Sequence, residues 1–185
     1  KLPTWKEVKH KFNIPFDKFI LVTFHPETIS SNQNFNYSLI LFDALLKISK
    51  DTNIVITNTN SDANSSLFNK QYKNLLKRSK NFKLINSFGK ENYFSAIKNC
   101  SFMLGNTSSG IIESASFKKW VINVGNRQKG RVRNENVIDT DFSVESILKA
   151  IENIKTKKEF NGVNQFYKPN TSDLIINSII KFQNG

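Results

Sequence analysis

The feature that most constrains the fold of this 185-residue chain is the alternation of short apolar segments with segments of helical periodicity. Residues 18–24, KFILVTF, form a nearly continuous, β-rich apolar run, as expected of a strand buried in a parallel sheet. Residues 35–49 follow with apolar side chains at helical spacing. Strand and helix patterns then alternate to the end of the chain, which predicts βαβ units.

The remaining elements follow the same rule. Further strands are predicted at residues 53–56, 83–85, 101–104, 120–124 and 136–138. Further helices are predicted at residues 65–79, 91–98, 107–117, 144–154 and 172–182. Residues 155–170 are polar, contain one Gly and one Pro, and form the one candidate linker, a crossover before the last helix. We therefore predict an α/β fold with a Rossmann-like, three-layer arrangement: a parallel sheet covered by helices on both faces.

Length and composition indicate one folded domain. Hydrophobic residues at 38% and charged residues at 23%, spread along the chain, are typical of a globular protein. No run of about 18 apolar residues is present, and the first residues lack the apolar core of a signal peptide, so we expect no membrane span and no secretion signal. Cys100 is the single cysteine and lies in an apolar context, which predicts a buried thiol and a reducing, cytoplasmic location.

The formal net charge of +12 raises the question of a nucleic-acid partner. Many of the lysines recur at helical spacing among polar residues, for example Lys70, Lys73 and Lys77, where a solvated helix face explains them. We therefore expect no nucleic-acid partner, although a binding module that uses these basic faces is kept as an alternative. A positive field also favours anionic small molecules by raising their local concentration.

Ligands of open α/β sheets bind beyond the carboxyl ends of the strands, so the loops that follow strands are the places to seek function. His25 follows the first apolar run directly, and Pro26 ends the strand. A histidine there can donate to a phosphate oxygen or exchange a proton near neutral pH, although His25 taken alone favours a structural or incidental role. The loop at residues 57–64 is rich in Asn and Asp, which also form turns and helix caps.

The loop at residues 104–110, LGNTSSG, leaves a strand and opens a helix. It can direct backbone N–H groups and hydroxyls at an anion near the positive end of the helix dipole, although a capping turn uses the same residues. Glu113, one helical turn further on, can accept both hydroxyls of a ribose or simply complement the dipole. The next loop, residues 125–133, places Arg and Lys beside glycines, as expected of a phosphate site or of a solvated basic loop.

Taken together, these motifs resemble a known family. GNTSSGIIE at residues 105–113, VINVGNRQKGR at 121–131 and ENVI at 135–138, in this order and at this spacing, are similar to the C-terminal domain of the hydrolysing UDP-N-acetylglucosamine 2-epimerases. TFHPET at residues 23–28 and N-x-D at 60–62 agree with it. The resemblance covers essentially the whole chain, and it implies a two-domain architecture like that of the GT-B glycosyltransferases. Residues 1–185 would be the second, UDP-binding Rossmann-like domain.

The resemblance also implies roles for individual residues. Thr107 and Ser108 would hold the diphosphate, with Ser109 and Gly110 contributing through backbone groups, and Glu113 would bind the ribose hydroxyls.

Other predicted ligands come from separate loops. Arg127, Asn60 and Asp62 would line the pocket for the substrate and nucleotide, and the backbone around Ser87 and Phe88 would contact uracil.

His25 matches the histidine near the sugar diphosphate, where it would support departure of UDP as acid or hydrogen-bond donor. In the family, UDP leaves with loss of the C2 proton to give an acetamidoglucal, and water then adds to yield N-acetylmannosamine without a metal or redox cofactor. The family's acid/base carboxylates lie in the N-terminal domain. We therefore expect a fragment that binds a UDP-sugar but is inactive without that partner domain, with the oligomeric state of the full-length enzyme left open.

Three alternatives remain at this stage. A donor-binding domain of a GT-B glycosyltransferase, or an epimerase for a 2,4-diacetamido-trideoxy sugar nucleotide, would keep the same nucleotide loops. The third is the nucleic-acid-binding module. TFHPET differs from the histidine- and arginine-rich loop of the non-hydrolysing epimerases, which favours the hydrolysing branch.

Overall fold

The computed structural model describes residues 1–28, 30–58 and 64–183. Within them the strands β1 to β6 are Ile20–Thr23, Ile54–Thr57, Phe82–Ile85, Met103–Gly105, Val121–Val124 and Val137–Thr140. The helices α1 to α7 are Trp5–Phe12, Asn34–Ile48, Ser65–Arg78, Lys90–Asn99, Ser108–Ile112, Val144–Lys155 and Thr171–Gln183. Short 3-10 helices occur at Ser31–Gln33 and Ser114–Phe117. All six predicted strands are confirmed to within a few residues.

The strands form one parallel sheet in the order β3-β2-β1-β4-β5-β6. Val22 of β1 pairs with Ile56 of β2 on one side and with Leu104 of β4 on the other. From β1, the chain adds β2 and then β3 on one side. It then crosses back over β1 and adds β4, β5 and β6 on the other side. This is the doubly wound, Rossmann-like topology that the alternation of elements predicts, and its direction reverses between β1 and β4.

Two apolar cores lie on opposite faces of the sheet, because successive side chains of a strand point to opposite sides. Ile20 and Val22 of β1 belong to the core that α2, α3 and α6 cover. Leu21, between them, belongs to the core that α1 and α4 cover. Both faces of the sheet are thus sealed by helices, which explains why its central strands are continuously apolar.

The predicted single helix at residues 107–117 is wrong in its second half. The structure ends α5 at Ile112 and continues as a 3-10 helix. The amide of Asn134 donates to the carbonyl of Ile111 at 3.1 Å, and that of Asn164 donates to the carbonyl of Ile112 at 2.8 Å. These carbonyls would have accepted the next α-helical hydrogen bonds, so distant side chains replace the helical pattern.

Two helices have unexpected properties. Helix α1 was not predicted, although a capping box in which Thr4 and Glu7 bond each other marks its start. Helix α7 was predicted, but all of its residues are exposed, including apolar ones such as Ile176 and Ile179. Among the described residues no helix combines the length and apolar character needed to cross a bilayer.

Candidate functional site

The candidate site lies at the carboxyl ends of the strands, where the winding direction reverses between β1 and β4. The two strand ends approach each other closely at Gly105, which has a φ of +150°. A Cβ on Gly105 would lie 1.9 Å from the carbonyl oxygen of Thr23. A residue with a side chain therefore cannot occupy this position without separating the two strands.

A cleft of about 380 Å³ opens above this junction. Seven of the residues predicted from the sequence line it, although they come from four separate loops: His25, Ser87, Phe88, Thr107, Ser108, Ser109 and Arg127. The fold explains the convergence, because each loop follows a parallel strand and all parallel strands end at the same edge of the sheet.

His25 is buried and its backbone is fixed by one side chain. The His25 N–H donates to Oδ1 of Asn106, and Nδ2 of Asn106 donates to the His25 carbonyl, both at 2.8 Å. Asn106 itself is completely buried. The side-chain amide of Asn106 thus extends the pairing of β4 with β1 beyond the last paired residues and holds His25 at the wall of the cleft.

Thr107 is the N-cap of α5, since its side chain accepts a hydrogen bond from the Ser109 N–H at 3.4 Å. The structure therefore shows the capping turn that the sequence left open, and it places the same hydroxyls of Thr107, Ser108 and Ser109 on the cleft. Helix α5 has only five residues, so side chains and individual N–H groups, more than a long helix dipole, determine the polarity of this wall.

The floor of the cleft is a chain of hydroxyl groups. Thr57 Oγ1 donates to Thr23 Oγ1 at 3.0 Å, and Thr23 Oγ1 lies 3.1 Å from the hydroxyl of Tyr93. Burial raises the pKa of Tyr93 above its ordinary value, so this hydroxyl stays protonated and can donate.

Glu113 and Gly110 were also predicted as ligands, but they are not among the residues that line the cleft. Gly110 is buried against β5, where an added Cβ would lie 2.9 Å from Cγ1 of Val121. Glu113 is half-buried, and its Oε2 receives no hydrogen bond from the described residues. Burial raises the pKa of the Glu113 carboxyl, against the opposing effect of the nearby Lys90 charge.

Arg127 reaches the cleft from the loop after β5. Its Nη1 donates to the carbonyl of Asn106 at 3.2 Å, and Nε2 of Gln128 donates to the same carbonyl at 2.7 Å. Asn106 therefore contacts the β1 loop through its side chain and the β5 loop through its backbone. The guanidinium of Arg127 lies on the same cleft as the hydroxyls of Thr107 and Ser108.

The loop after β3 forms the opposite wall. The Ser87 hydroxyl accepts a hydrogen bond from the Gly89 N–H at 3.3 Å. Phe88 is buried, with its ring packed edge-on against that of Phe12 at a centroid distance of 4.8 Å. This wall thus combines polar backbone with an anchored aromatic ring. The remaining predicted ligands, Asn60 and Asp62, lie outside the described residues.

Several lining residues were not singled out from the sequence: Thr23, Thr57, Asn58, Asn86, Gly89, Lys90 and Tyr93. Thr23 and Thr57 are the last residues of β1 and β2, so a polar residue that ends an apolar strand was the available signal. Nothing in the sequence indicated Tyr93, because it looks like an ordinary helix residue until α4 is placed beside β1.

Comparison with known proteins places the chain in a family. A family model described as UDP-N-acetylglucosamine 2-epimerase matches residues 2–180. The chain belongs to this family. It is 33% identical over 192 residues to the polysialic acid biosynthesis protein P7 of Escherichia coli, covering 99% of the chain and 48% of that protein. The epimerase-family chain thus spans about half the length of this relative.

Two further comparisons concern a relative and the fold. The chain is 34% identical to the GDP/UDP-N,N'-diacetylbacillosamine 2-epimerase (hydrolyzing) of Campylobacter jejuni, over 83% of the chain and 40% of that protein. The structure of the Methanocaldococcus jannaschii UDP-GlcNAc 2-epimerase, in complex with UDP-GlcNAc and UDP, superposes with a TM-score of 0.72 at 20% identity, covering 95% of the chain and 49% of that protein. The E. coli ADP-heptose heptosyltransferase II superposes at 0.58 with 9% identity, over 80% of the chain and 50% of that protein, so it shares the fold alone.

Proposed function

We propose that this chain is the C-terminal, UDP-binding domain of a hydrolysing UDP-N-acetylglucosamine 2-epimerase. The complete enzyme would convert UDP-GlcNAc to UDP and N-acetylmannosamine. The family membership supports an epimerase over the two alternatives of a GT-B glycosyltransferase and a nucleic-acid-binding module. The domain alone would bind UDP without turning over the sugar nucleotide.

One observation carries the proposal. The cleft at the reversal of the sheet collects a histidine, three consecutive hydroxyls and an arginine from loops that are far apart in sequence: His25, Thr107, Ser108, Ser109 and Arg127. Hydroxyl, N–H and guanidinium groups are the donors that phosphate oxygens accept. A diphosphate therefore matches the chemistry of this cleft. No carboxylate is present among its described lining residues to repel such an anion.

The nucleoside would extend on either side of the diphosphate. Glu113, whose Oε2 receives no hydrogen bond from the described chain, would accept the two ribose hydroxyls. The wall at Ser87 and Phe88 would contact uracil through backbone groups, and Asn60 and Asp62 would complete the pocket. These assignments account for the burial of a carboxylate in this place, because a ribose would supply the donors that it needs.

His25 would act on the departing diphosphate. In the reaction that we propose, the C2 proton and UDP leave the substrate to give an acetamidoglucal, and water adds to form N-acetylmannosamine. His25 would donate a hydrogen bond or a proton to the UDP oxygen as the C1–O bond breaks. The groups that remove the C2 proton and deliver water would lie in the rest of the enzyme, which is why we expect this half to be inactive.

A second candidate substrate has specific support. Two relatives of this chain, at 34% and 30% identity, are described as N,N'-diacetylbacillosamine 2-epimerases. A 2,4-diacetamido-trideoxy sugar on the same nucleotide would use the same cleft, since it differs from UDP-GlcNAc only at the sugar.

Titration calorimetry with UDP, UMP and uridine tests the proposal. We expect saturable binding of one UDP and a fall in affinity as phosphates are removed. Ser108→Ala should lower the affinity for UDP. Lys73→Ala, on the exposed face of α3, should leave that affinity unchanged. Absence of UDP binding at millimolar concentration would contradict the proposal. Incubation of the chain with UDP-GlcNAc should release no sugar, and release would contradict the inactive-domain assignment.

A further inference from the structure

Glu27 is a buried acidic residue that the proposed function does not use. It lies two residues after His25, and only 3% of its surface is exposed. Its Oε1 accepts two hydrogen bonds from consecutive backbone N–H groups, from Asn126 at 2.8 Å and from Arg127 at 3.0 Å. Consecutive N–H groups that point at one position form an anion-binding concavity. Here the chain fills that concavity with its own carboxyl group.

Glu27 is itself fixed from behind. The Glu27 N–H donates to Oδ1 of Asn34, and Nδ2 of Asn34 donates to the Glu27 carbonyl, both at 2.9 Å. Asn34 begins α2 and is completely buried. The backbone of Glu27 is therefore held by a helix that packs on the sheet, which fixes the point from which its side chain reaches the loop after β5.

The loop has little room to move away from this contact. Gly125 has a φ of +79°, and a Cβ added to it would lie 2.6 Å from Oε1 of Glu27 and 2.5 Å from the ring of Phe142. A side chain at this position would thus collide with both the carboxyl group and the aromatic ring. Only glycine fits there, which ties the conformation of the turn to the presence of Glu27.

Arg127 is therefore held at both ends. Its backbone N–H is bound by Glu27, and its guanidinium donates to the carbonyl of Asn106, whose side chain holds His25. We propose that Glu27 is a positioning residue that fixes the backbone of Arg127 so that its guanidinium faces the diphosphate region of the cleft. This role rests on the proposed function and extends it to a residue that lies outside the cleft lining.

The test compares ligands with and without phosphate. Uridine lacks the diphosphate that Arg127 would contact. Loss of positioning should therefore lower the affinity for UDP and leave the affinity for uridine unchanged. We expect Glu27→Ala to lower UDP affinity roughly tenfold or more. Glu27→Gln keeps an acceptor oxygen, so it should lower UDP affinity by roughly threefold or less. In an Arg127→Ala background, Glu27→Ala should cause no further loss of UDP affinity, because the side chain that it positions is absent.

A matched control lies at the opposite end of the sheet. Nδ2 of Asn81 donates to the carbonyl of Ser49 at 2.8 Å, a hydrogen bond that ties two loops at the amino ends of the strands. Asn81→Ala should lower thermal stability without changing UDP affinity. If Glu27→Ala does not fold, Glu27→Asp retains the charge but shortens the side chain, and it should also weaken UDP selectively over uridine.

The outcomes separate this inference from the proposed function. Unchanged UDP affinity in Glu27→Ala, or in Glu27→Asp if Glu27→Ala does not fold, with the unsubstituted chain binding UDP, would overturn the positioning role and leave UDP binding intact. Equal weakening of UDP and uridine, or additive effects with Arg127→Ala, would show a general structural role and would also overturn it. No UDP binding by the unsubstituted chain would overturn the proposed function and this role together.

Discussion

Glu113 is the residue at which stability and ligand binding are expected to conflict. Burial raises the pKa of its carboxyl group, so the folded state favours the neutral form. With the pKa in the folded chain above that in the unfolded chain, its contribution to stability is complete below the unfolded pKa and is lost as the pH rises through the folded pKa. Without nucleotide, an ionised Glu113 therefore destabilises the fold at neutral pH.

Glu113→Gln should consequently raise the melting temperature at neutral pH by roughly one to three degrees, and the difference should vanish near pH 4 or below. The same substitution should weaken UDP binding, because an amide cannot accept from two ribose hydroxyls as a carboxylate does. Thermal unfolding at several pH values, together with calorimetry, measures both effects. Glu135→Gln, at an exposed position outside the helices, is a control that should change neither quantity. A loss of stability in Glu113→Gln at neutral pH would contradict this description.

Arg127 tests the assignment of the diphosphate region. Arg127→Lys keeps the positive charge but loses the planar fork that binds two phosphate oxygens, so UDP affinity should fall roughly tenfold to a hundredfold while uridine affinity is retained. Calorimetry with the two ligands measures the difference. Arg78→Lys, at the exposed end of α3, is the matched control. Equal losses of affinity for UDP and for uridine in Arg127→Lys would contradict a contact between Arg127 and the phosphates.

Some residues of the cleft could be predicted from the sequence because they directly follow strands. His25 and Thr107 are of this kind, since the end of an apolar strand in a parallel sheet fixes their location. Tyr93 and Glu27 could not be predicted in the same way. The position of Tyr93 depends on how α4 packs, and the contact of Glu27 joins segments about a hundred residues apart, which no local pattern encodes. Cys100 was predicted to be buried, and burial indeed raises its pKa to about 12.

At the scale of secondary structure, the junction of β1 and β4 is the most restrictive contact. Gly105→Ala should prevent accumulation of folded protein, because its Cβ would collide with the backbone carbonyl of Thr23. Gly130→Ala is a suitable control, since Gly130 also has a positive φ, +83°, but open space around its Cα. It should cost only about 1 kcal/mol of backbone strain. Soluble yield and thermal unfolding compare the two variants. Similar stability in both would contradict the close approach of the strands.

The elements themselves could be predicted where periodicity alone determines them. The strands and the long helices α2, α3 and α6 follow this rule. Helix α1 was missed although its capping box is local, because it precedes the first strand and is short. The end of α5 could not be predicted, since the amides that replace its hydrogen bonds come from Asn134 and Asn164. Tertiary contacts therefore override local helical preference there.

At the scale of the whole molecule, two groups of lysines lie away from the cleft. Lys70, Lys73 and Lys77 lie along the exposed face of α3, as the sequence predicted. A second group of lysines surrounds Trp120 at the amino ends of the strands, including Lys157, whose Nζ lies 4.9 Å from the centroid of the Trp120 ring. The cleft itself is lined by Lys90 and Arg127. The general field thus favours anions, and under the proposed function the arrangement of donors in the cleft would select a diphosphate.

Backbone amide chemical shifts of the isotope-labelled chain during a UDP titration test the central claim most directly. We predict saturable shifts concentrated in the loops after β1, β3, β4 and β5, with the largest at Thr107, Ser108, Ser109, Ser87 and Arg127. The lysines around Trp120 and along α3 should serve as internal controls and should shift little. Saturable shifts centred on those lysines, or no saturable shifts at millimolar UDP, would contradict the assignment of this cleft as the UDP site.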